Sequence, residues 1–220
     1  MNNFVILYQT GEQLNQLSYK SWTTYCNTHS LKLICLTDIV NPSFDRINQI
    51  FYIFKLLKNS EIEFDNICLV SDTTLVNKNT KNIFDLSNNK LTFAEWDSDF
   101  NYLLTNLELY QLHVFNNKKV DFSRFFDLGM FIVNKSHEFI FDQIINFLEN
   151  NYNRLINNLD VTFVPQNFFF DCEYNKLPYV YNMLDISRKE IVIDSNLSKL
   201  GNIFNFRLEL NLMSEASNFL

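Results

Sequence analysis

DNICLVSD at residues 65–72 is an apolar run that ends in a Ser-Asp pair. Short apolar runs bounded by polar residues are typical of strands that are buried on both faces of a parallel sheet. Two similar runs precede it in the chain, FVILYQ at 4–9 and LKLICLTD at 31–38. We therefore predict three adjacent strands, near 4–9, 31–36 and 65–70.

The segments between these strands carry apolar residues at helical spacing. The first segment has Leu14, Leu17, Trp22 and Tyr25 on one stripe, and the second has a similar stripe from 44 to 57. Alternation of strands and helices over so short a stretch predicts a parallel sheet with right-handed crossovers. We therefore predict an α/β fold, a single domain over residues 1–220 with a mostly parallel central sheet flanked by helices.

The second half of the chain is less regular. Its predicted elements are a short helix at 81–86, a strand at 90–96, a helix at 99–115, a strand at 124–135, a helix at 137–155 and a strand near 191–195. Gly129 lies inside the predicted strand RFFDLGMFIVNK. A glycine in that position usually marks a bulge or the close approach of another backbone.

Composition and charge exclude several classes of partner. The 18 Lys and Arg are outnumbered by 25 Asp and Glu, which gives a formal net charge of −7. We expect no nucleic-acid partner, because no basic cluster is present that could displace counterions from phosphates. No segment predicts a membrane span, and the N-terminus lacks the cationic region of a signal peptide. The four cysteines lack CxxC spacing, which predicts reduced thiols and a cytoplasmic protein.

Polar residues follow the first three predicted strands. In an open parallel sheet, ligands bind beyond the carboxyl ends of the strands. The candidates there are Tyr8, Gln9, Thr10, Thr37, Asp38, Ser71, Asp72 and Thr73. Asp72 could hold a hard divalent cation against a diphosphate, and equally it could cap the turn that follows its strand. Neither GxGxxG nor GxxxxGK(S/T) follows the first strand, so the sequence does not support a dinucleotide-binding or P-loop site.

Three stretches of the sequence resemble glycosyltransferases of the A-type fold, glycogenin-like and related. FDNICLVSDTTLVNKNTKNIFDL at 64–86 is similar to the region around their DxD motif. RFFDLGMFIVNKSHEFIFDQIINFL at 124–148 is similar to their glycine-containing strand and the helix after it. LDVTFVPQNFFFDCEYNKLPYVYN at 159–182 lies where many members carry a DQxxxN helix. The order and spacing of the three stretches fit the family over about 5–182.

The DxD motif is degenerate in this chain. If Asp72 is its second acid, Val70 stands in place of the first. If Asp72 is the first acid, Thr74 replaces the second, although the first register matches the family's Asp-Thr pair. One carboxylate is missing in either register. The third stretch also departs from the family, with Pro165 and Gln166 in place of its Asp-Gln pair.

The resemblance implies a nucleotide-diphospho-sugar donor and an acceptor that the sequence does not identify. It assigns the nucleotide to Tyr8, Gln9, Thr10, Arg46, Lys55 and Ser71. It assigns a divalent cation, Mn²⁺ or Mg²⁺, to Asp72. It assigns the catalytic contacts with the donor sugar or the acceptor to Asp127, Gln166 and Asp171. Arg46 and Lys55 have the alternative of being ordinary solvated cations.

Two functions follow from this pattern and remain open at the level of sequence. The first is transfer of a sugar from a nucleotide-diphosphate donor, assisted by a metal through Asp72. The second is a non-catalytic binding or structural relative of the same fold. Retention of Asp72 and Gly129 favours the first function, and the missing acid at Val70 favours the second.

Overall fold

The computed structural model describes residues 2–95 and 126–155 and the short segments 172–176, 179–181, 184–185, 190–191 and 203–205. Its strands are β1 (Asn3–Tyr8), β2 (Lys32–Leu36), β3 (Asn66–Ser71), β4 (Thr74–Val76), β5 (Leu91–Glu95), β6 (Phe126–Asn134), β7 (Tyr174–Lys176), β8 (Tyr179–Tyr181), β9 (Leu184–Asp185), β10 (Glu190–Ile191) and β11 (Ile203–Asn205). They form a six-stranded sheet, a three-stranded sheet of β4, β11 and β8, and the pair β9–β10.

The six-stranded sheet has the order β2-β1-β3-β6-β5-β7. β1 pairs in parallel with both β2 and β3, so that Leu7 lies opposite Cys35 on one side and Val70 on the other. β6 is antiparallel to β3 and β5, whereas β7 is parallel to β5. The three predicted adjacent strands are therefore confirmed. The predicted α/β fold is confirmed as well, with a mixed sheet in which β6 alone runs against the common direction.

Three α-helices and several 3₁₀ turns lie between the described strands. The α-helices are α1 (Gln16–Thr28), α2 (Ile53–Asn59) and α3 (Glu138–Leu155). The helix predicted after β2 begins as the 3₁₀ helix Arg46–Tyr52 and continues as α2. The short helix predicted at 81–86 is the 3₁₀ helix Ile83–Leu86. The helix predicted at 137–155 is confirmed as α3.

Helices cover both faces of the central sheet, which explains why its strands are apolar throughout. On one face, Phe51 and Phe54 pack against Phe141 of α3, with ring centroids 5.8 and 4.6 Å apart. On the other face, Trp22 and Tyr25 of α1 are fully buried and meet edge to face at 5.5 Å. A strand with both faces covered gains nothing from alternating polar residues. Residues 66–71 are accordingly all buried.

Some predicted elements fall partly or wholly outside the residues described. The predicted helix at 99–115 lies outside them, and of the strand predicted near 191–195 only Ile191 is described, in β10. β4 was not predicted, because three residues are too few to show a periodicity. Within the described ranges, no helix combines the length and apolarity needed to cross a membrane. The extent of the domain, 1–220, stays a prediction.

Candidate functional site

The carboxyl ends of β1, β2 and β3 are joined by backbone hydrogen bonds. Tyr8 lies opposite Ser71 in the sheet, and the amide of Asp72 donates to the carbonyl of Tyr8 at 3.0 Å. The amide of Gln9 donates to the carbonyl of Leu36 at 3.1 Å. The candidates that follow these strands therefore do meet at one edge of the sheet, as their positions in the sequence predict.

The carboxylate of Asp72 is the centre of this edge. Only 3% of the residue is exposed. Its Oδ1 accepts hydrogen bonds from the amide and the hydroxyl of Thr10, at 3.0 and 2.6 Å. Its Oδ2 accepts from the amide of Asn15 at 3.1 Å. Asn15 is the N-cap of α1, where a negative charge is favoured by the helix dipole. Asp72 therefore binds both ends of the β1–α1 loop, Gln9–Asn15.

An open cavity of about 540 Å³ lies along this loop. It is lined by Thr10–Leu17 together with Asp72 and Thr73. The lining offers amide, hydroxyl and backbone groups, and Gly11, Glu12 and Gln13 are exposed. Such a surface can hydrogen-bond a small polar ligand at several points.

Two side chains of α1 donate hydrogen bonds to Thr74, two residues after Asp72. The hydroxyl of Ser18 donates to the carbonyl of Thr74 at 2.7 Å, and the indole of Trp22 donates to Oγ1 of Thr74 at 2.9 Å. The Thr74 hydroxyl in turn donates to the carbonyl of Ser71 at 2.7 Å. These supporting residues could not be predicted, because a serine and a tryptophan in a helical segment have the pattern of ordinary helix residues.

Three of the residues predicted to bind a nucleotide have buried side chains. Tyr8 is 1% exposed and its ring lies in the hydrophobic core, so it reaches the edge through its carbonyl. Gln9 is 7% exposed and its Nε2 donates to the carbonyl of Gly11 at 2.8 Å, within the loop. Ser71 is also buried, and its hydroxyl bonds to that of Thr73. Thr10 is the predicted nucleotide-binding residue that lines the cavity.

The two predicted cations lie in different places. Arg46 is half-buried, and its Nη1 donates to the carbonyl of Thr37 at 3.3 Å, directly after β2. Lys55 is exposed, with its Nζ 5.6 Å from the ring centroid of Tyr52. Burial raises the pKa of Tyr52 to about 12, and its protonated hydroxyl donates to Glu149 at 2.8 Å. The structure therefore brings Arg46 to the strand ends, while Lys55 contacts Tyr52.

Asp127 is placed by its backbone alone. It lies in β6, which runs antiparallel to β3 with Met130 opposite Val70. The start of β6 therefore lies at the same edge of the sheet as the end of β3. Gln166 and Asp171 lie outside the described residues. The roles that the resemblance implies for these three residues stay predictions.

The described residues offer few ligands to a divalent cation. In that part of the chain, no three His, Cys, Asp or Glu residues are grouped so that they could hold a metal ion. Val70, in place of the family's first acid, is fully buried in the core. Asp72 already accepts three hydrogen bonds, which leaves one acceptor position on Oδ2. Hard cations take six or more oxygens, so this edge fits a cation only together with a ligand that brings further oxygens.

Comparison with known proteins bears on the fold. No protein-family model and no curated protein matches the chain. Among solved structures, a glycosyltransferase involved in the glycosylation of the major capsid of PBCV-1 is similar at a TM-score of 0.60 and 9% identity, over 98% of each chain. The galactosyltransferase LgtC, in complex with donor and acceptor sugar analogs, is similar at 0.51 and 10% identity, over 99% of this chain and 96% of that one.

A third solved structure, the glycosyltransferase GlyE of Streptococcus pneumoniae TIGR4, is similar at a TM-score of 0.53 and 13% identity. The match covers 99% of this chain and 61% of that one, so this chain spans about three fifths of GlyE. All three similarities extend over nearly the whole of this chain, across the six-stranded sheet and its helices. This chain has the A-type glycosyltransferase fold.

Proposed function

We propose that this protein transfers a sugar from a nucleotide-diphosphate donor to an acceptor. The observation that carries the proposal is the β1–α1 loop, which Asp72 binds to the carboxyl edge of the parallel strands beside an open cavity lined by apolar groups together with amides and hydroxyls. Ligands of open α/β sheets bind at this edge. The similarity in fold to LgtC, whose structure holds donor and acceptor sugar analogs, supports the same class of ligand.

The donor's nucleotide would lie in the cavity along Thr10–Leu17, where amide and hydroxyl groups can bind base and ribose. Transfer breaks the bond between the anomeric carbon and the phosphate oxygen and forms a bond from that carbon to the acceptor, whose proton passes to a base. Negative charge then develops on the leaving nucleoside diphosphate, and a fixed positive charge lowers the barrier. Arg46, whose guanidinium donates to the carbonyl of Thr37 directly after β2, is proposed for this role. Asp127, Gln166 and Asp171 are proposed to contact the sugar or the acceptor.

Mn²⁺ or Mg²⁺, when bound, would supply further positive charge at the diphosphate. Asp72 would hold the ion through the remaining acceptor position on Oδ2. Since the donor's phosphate oxygens would complete the coordination shell, nucleotide and ion should each strengthen the binding of the other. This part of the proposal depends on the donor being present, because the described residues include no group of three ligands that could hold the ion alone.

A non-catalytic relative of the fold is the second candidate function. The buried Val70 in place of an acidic residue favours it. Such a protein would bind a nucleotide or nucleotide sugar in the same cavity and leave the sugar in place. Binding and turnover therefore have to be measured separately.

The proposal is tested by thermal unfolding with a panel of nucleoside diphosphates and nucleotide sugars, with and without Mn²⁺. A ligand at 100 times its Kd stabilises the folded state by about 2.7 kcal/mol, which raises Tm by several degrees. We expect at least one base to produce such a shift, and the matching nucleotide sugar to be cleaved when incubated with the protein. A shift without cleavage would favour the non-catalytic candidate, and no shift with any nucleotide would contradict both.

A further inference from the structure

We propose that Asp72 is a positioning residue, whose carboxylate holds the β1–α1 loop in the shape that binds the nucleotide, with or without a metal ion. The inference rests on the proposed function for its ligand. It goes beyond the role of metal ligand that the resemblance and the proposed function give to Asp72. The two roles predict different results when metal is removed. A positioning residue still contributes to nucleotide affinity in EDTA, and a residue that acts only as a metal ligand does not.

The geometry of the three hydrogen bonds supports this role. Thr10 and Asn15 lie at the two ends of the exposed tip of the loop, and both donate to the same carboxylate. One side chain in the turn after β3 therefore sets the separation of the loop ends. Asn15 in turn caps α1 by accepting from the amides of Leu17 and Ser18. Displacement of Asp72 would release the loop and the first turn of α1 together.

The chemistry of the buried charge points the same way. Asp72 is 3% exposed, and its partners are two backbone amides and one hydroxyl. A buried carboxylate is costly unless several donors compensate for the lost water. Three donors do so here, all of them from the loop. The carboxylate and the loop conformation are therefore mutually dependent.

The turn that carries Asp72 is itself held by hydrogen bonds to β1 and α1. The carboxylate therefore has a fixed position from which it binds the loop. The amide of Asp72 is bonded to the carbonyl of Tyr8 in β1. Thr74, two residues on, is bonded to Ser18 and Trp22 of α1. Asp72 therefore has a role in this chain although Val70 stands in place of the other acid. That role is to increase the affinity for the nucleotide in the absence of metal.

The test uses calorimetric titration of uridine diphosphate and guanosine diphosphate, each in EDTA and in Mn²⁺. The proteins are the wild type, Asp72→Asn, Thr10→Val and the control Thr24→Val, whose exposed hydroxyl bonds only within α1. We expect Asp72→Asn to weaken binding in EDTA about tenfold and Thr10→Val about threefold, the size of one or two lost hydrogen bonds. Thr24→Val should bind like the wild type. Thr10→Val deletes a hydroxyl at nearly constant volume, so it carries the test if Asp72→Asn does not fold.

The outcomes separate this inference from the proposed function. Suppose that Asp72→Asn and Thr10→Val both bind nucleotide in EDTA within twofold of the wild type, and that Asp72→Asn alone loses the increase in affinity that Mn²⁺ produces. Asp72 is then a metal ligand only, and the inference is overturned. If the wild type binds neither these two nucleotides nor any other nucleoside diphosphate of the thermal-unfolding panel, the proposed function fails instead. Amide hydrogen exchange then tests the positioning role directly: faster exchange at Thr10 and Asn15 in Asp72→Asn supports it, and unchanged exchange overturns it.

Discussion

The indole N–H of Trp22 donates a hydrogen bond to Oγ1 of Thr74 across 2.9 Å, and both side chains are fully buried. The two residues are far apart in the sequence. Their contact joins α1 to the start of β4, directly after the turn that carries Asp72. The candidate site is therefore built between one helix and one turn, and its stability can be examined through this contact.

Thr74→Val should lower the free energy of unfolding by about 1–3 kcal/mol, because the buried indole N–H of Trp22 loses its acceptor while the volume is unchanged. Urea denaturation measures this change. Thr24→Val is the matched control in the same α1 region, with an exposed hydroxyl, and should change stability by less than about 0.5 kcal/mol. Equal stabilities of the two variants would show that the contact contributes nothing.

Arg46→Gln should weaken binding of uridine diphosphate about three- to fivefold, since a partly exposed charge pair contributes up to about 1 kcal/mol. The neutral nucleoside uridine should bind to the variant as it does to the wild type. Lys58→Gln, which removes an exposed charge on α2, serves as the control for net charge. A loss of the same size for nucleoside and diphosphate would place Arg46 away from the phosphates.

Asn48→Leu should raise the free energy of unfolding by about 1–2 kcal/mol. Asn48 is fully buried, and in the described part of the chain neither its Oδ1 nor its Nδ2 has a hydrogen-bond partner. An unsatisfied buried amide costs about 1–3 kcal/mol, which leucine of similar size does not incur. Asn66→Leu is the contrast, since Nδ2 of Asn66 donates to Asn3 at 3.2 Å and its loss should destabilise. Chemical denaturation that finds Asn48→Leu less stable than the wild type would refute the prediction.

His137 should make stability depend on pH below neutrality. Its Nδ1 accepts from the amide of Asn134 at 3.1 Å, and burial lowers its pKa from the ordinary 6.5. The unfolded chain therefore binds this proton more readily than the folded one. The contribution is fully present above pH 6.5 and is lost as pH falls from there toward the lower folded pKa.

The measurement is urea denaturation of the wild type and His137→Gln between pH 7.5 and pH 5. Glutamine offers an oxygen to the amide of Asn134 and does not titrate. We expect the difference in stability between the two proteins to shift in favour of His137→Gln as the pH falls. A difference that stays constant over this range would mean that His137 titrates alike in the folded and unfolded states.

The sequence alone predicted β1, β2, β3 and the helical segments between them, because burial on both faces of the sheet leaves a clear pattern. Apolar runs such as 4–9 and 65–70 cannot lie at a surface, and the helical stripe that contains Trp22 and Tyr25 can be buried only on one side. The resemblance at 64–86 and 124–148 added the A-type glycosyltransferase fold. The direction of β6 was beyond reach, because residue patterns report burial and not strand direction.

What the sequence determined about the site was its location. Residues that follow parallel strands must gather at one edge, and Thr10 and Asp72 do so. Only the tertiary structure decided what they do there. The ring of Tyr8 is buried in the core, and the carboxylate of Asp72 accepts hydrogen bonds from Thr10 and Asn15. The tertiary structure also placed Arg46 beside Thr37 and Lys55 on Tyr52. Hydrogen bonds between residues some sixty positions apart depend on how loops pack, and that packing cannot be predicted from local sequence patterns.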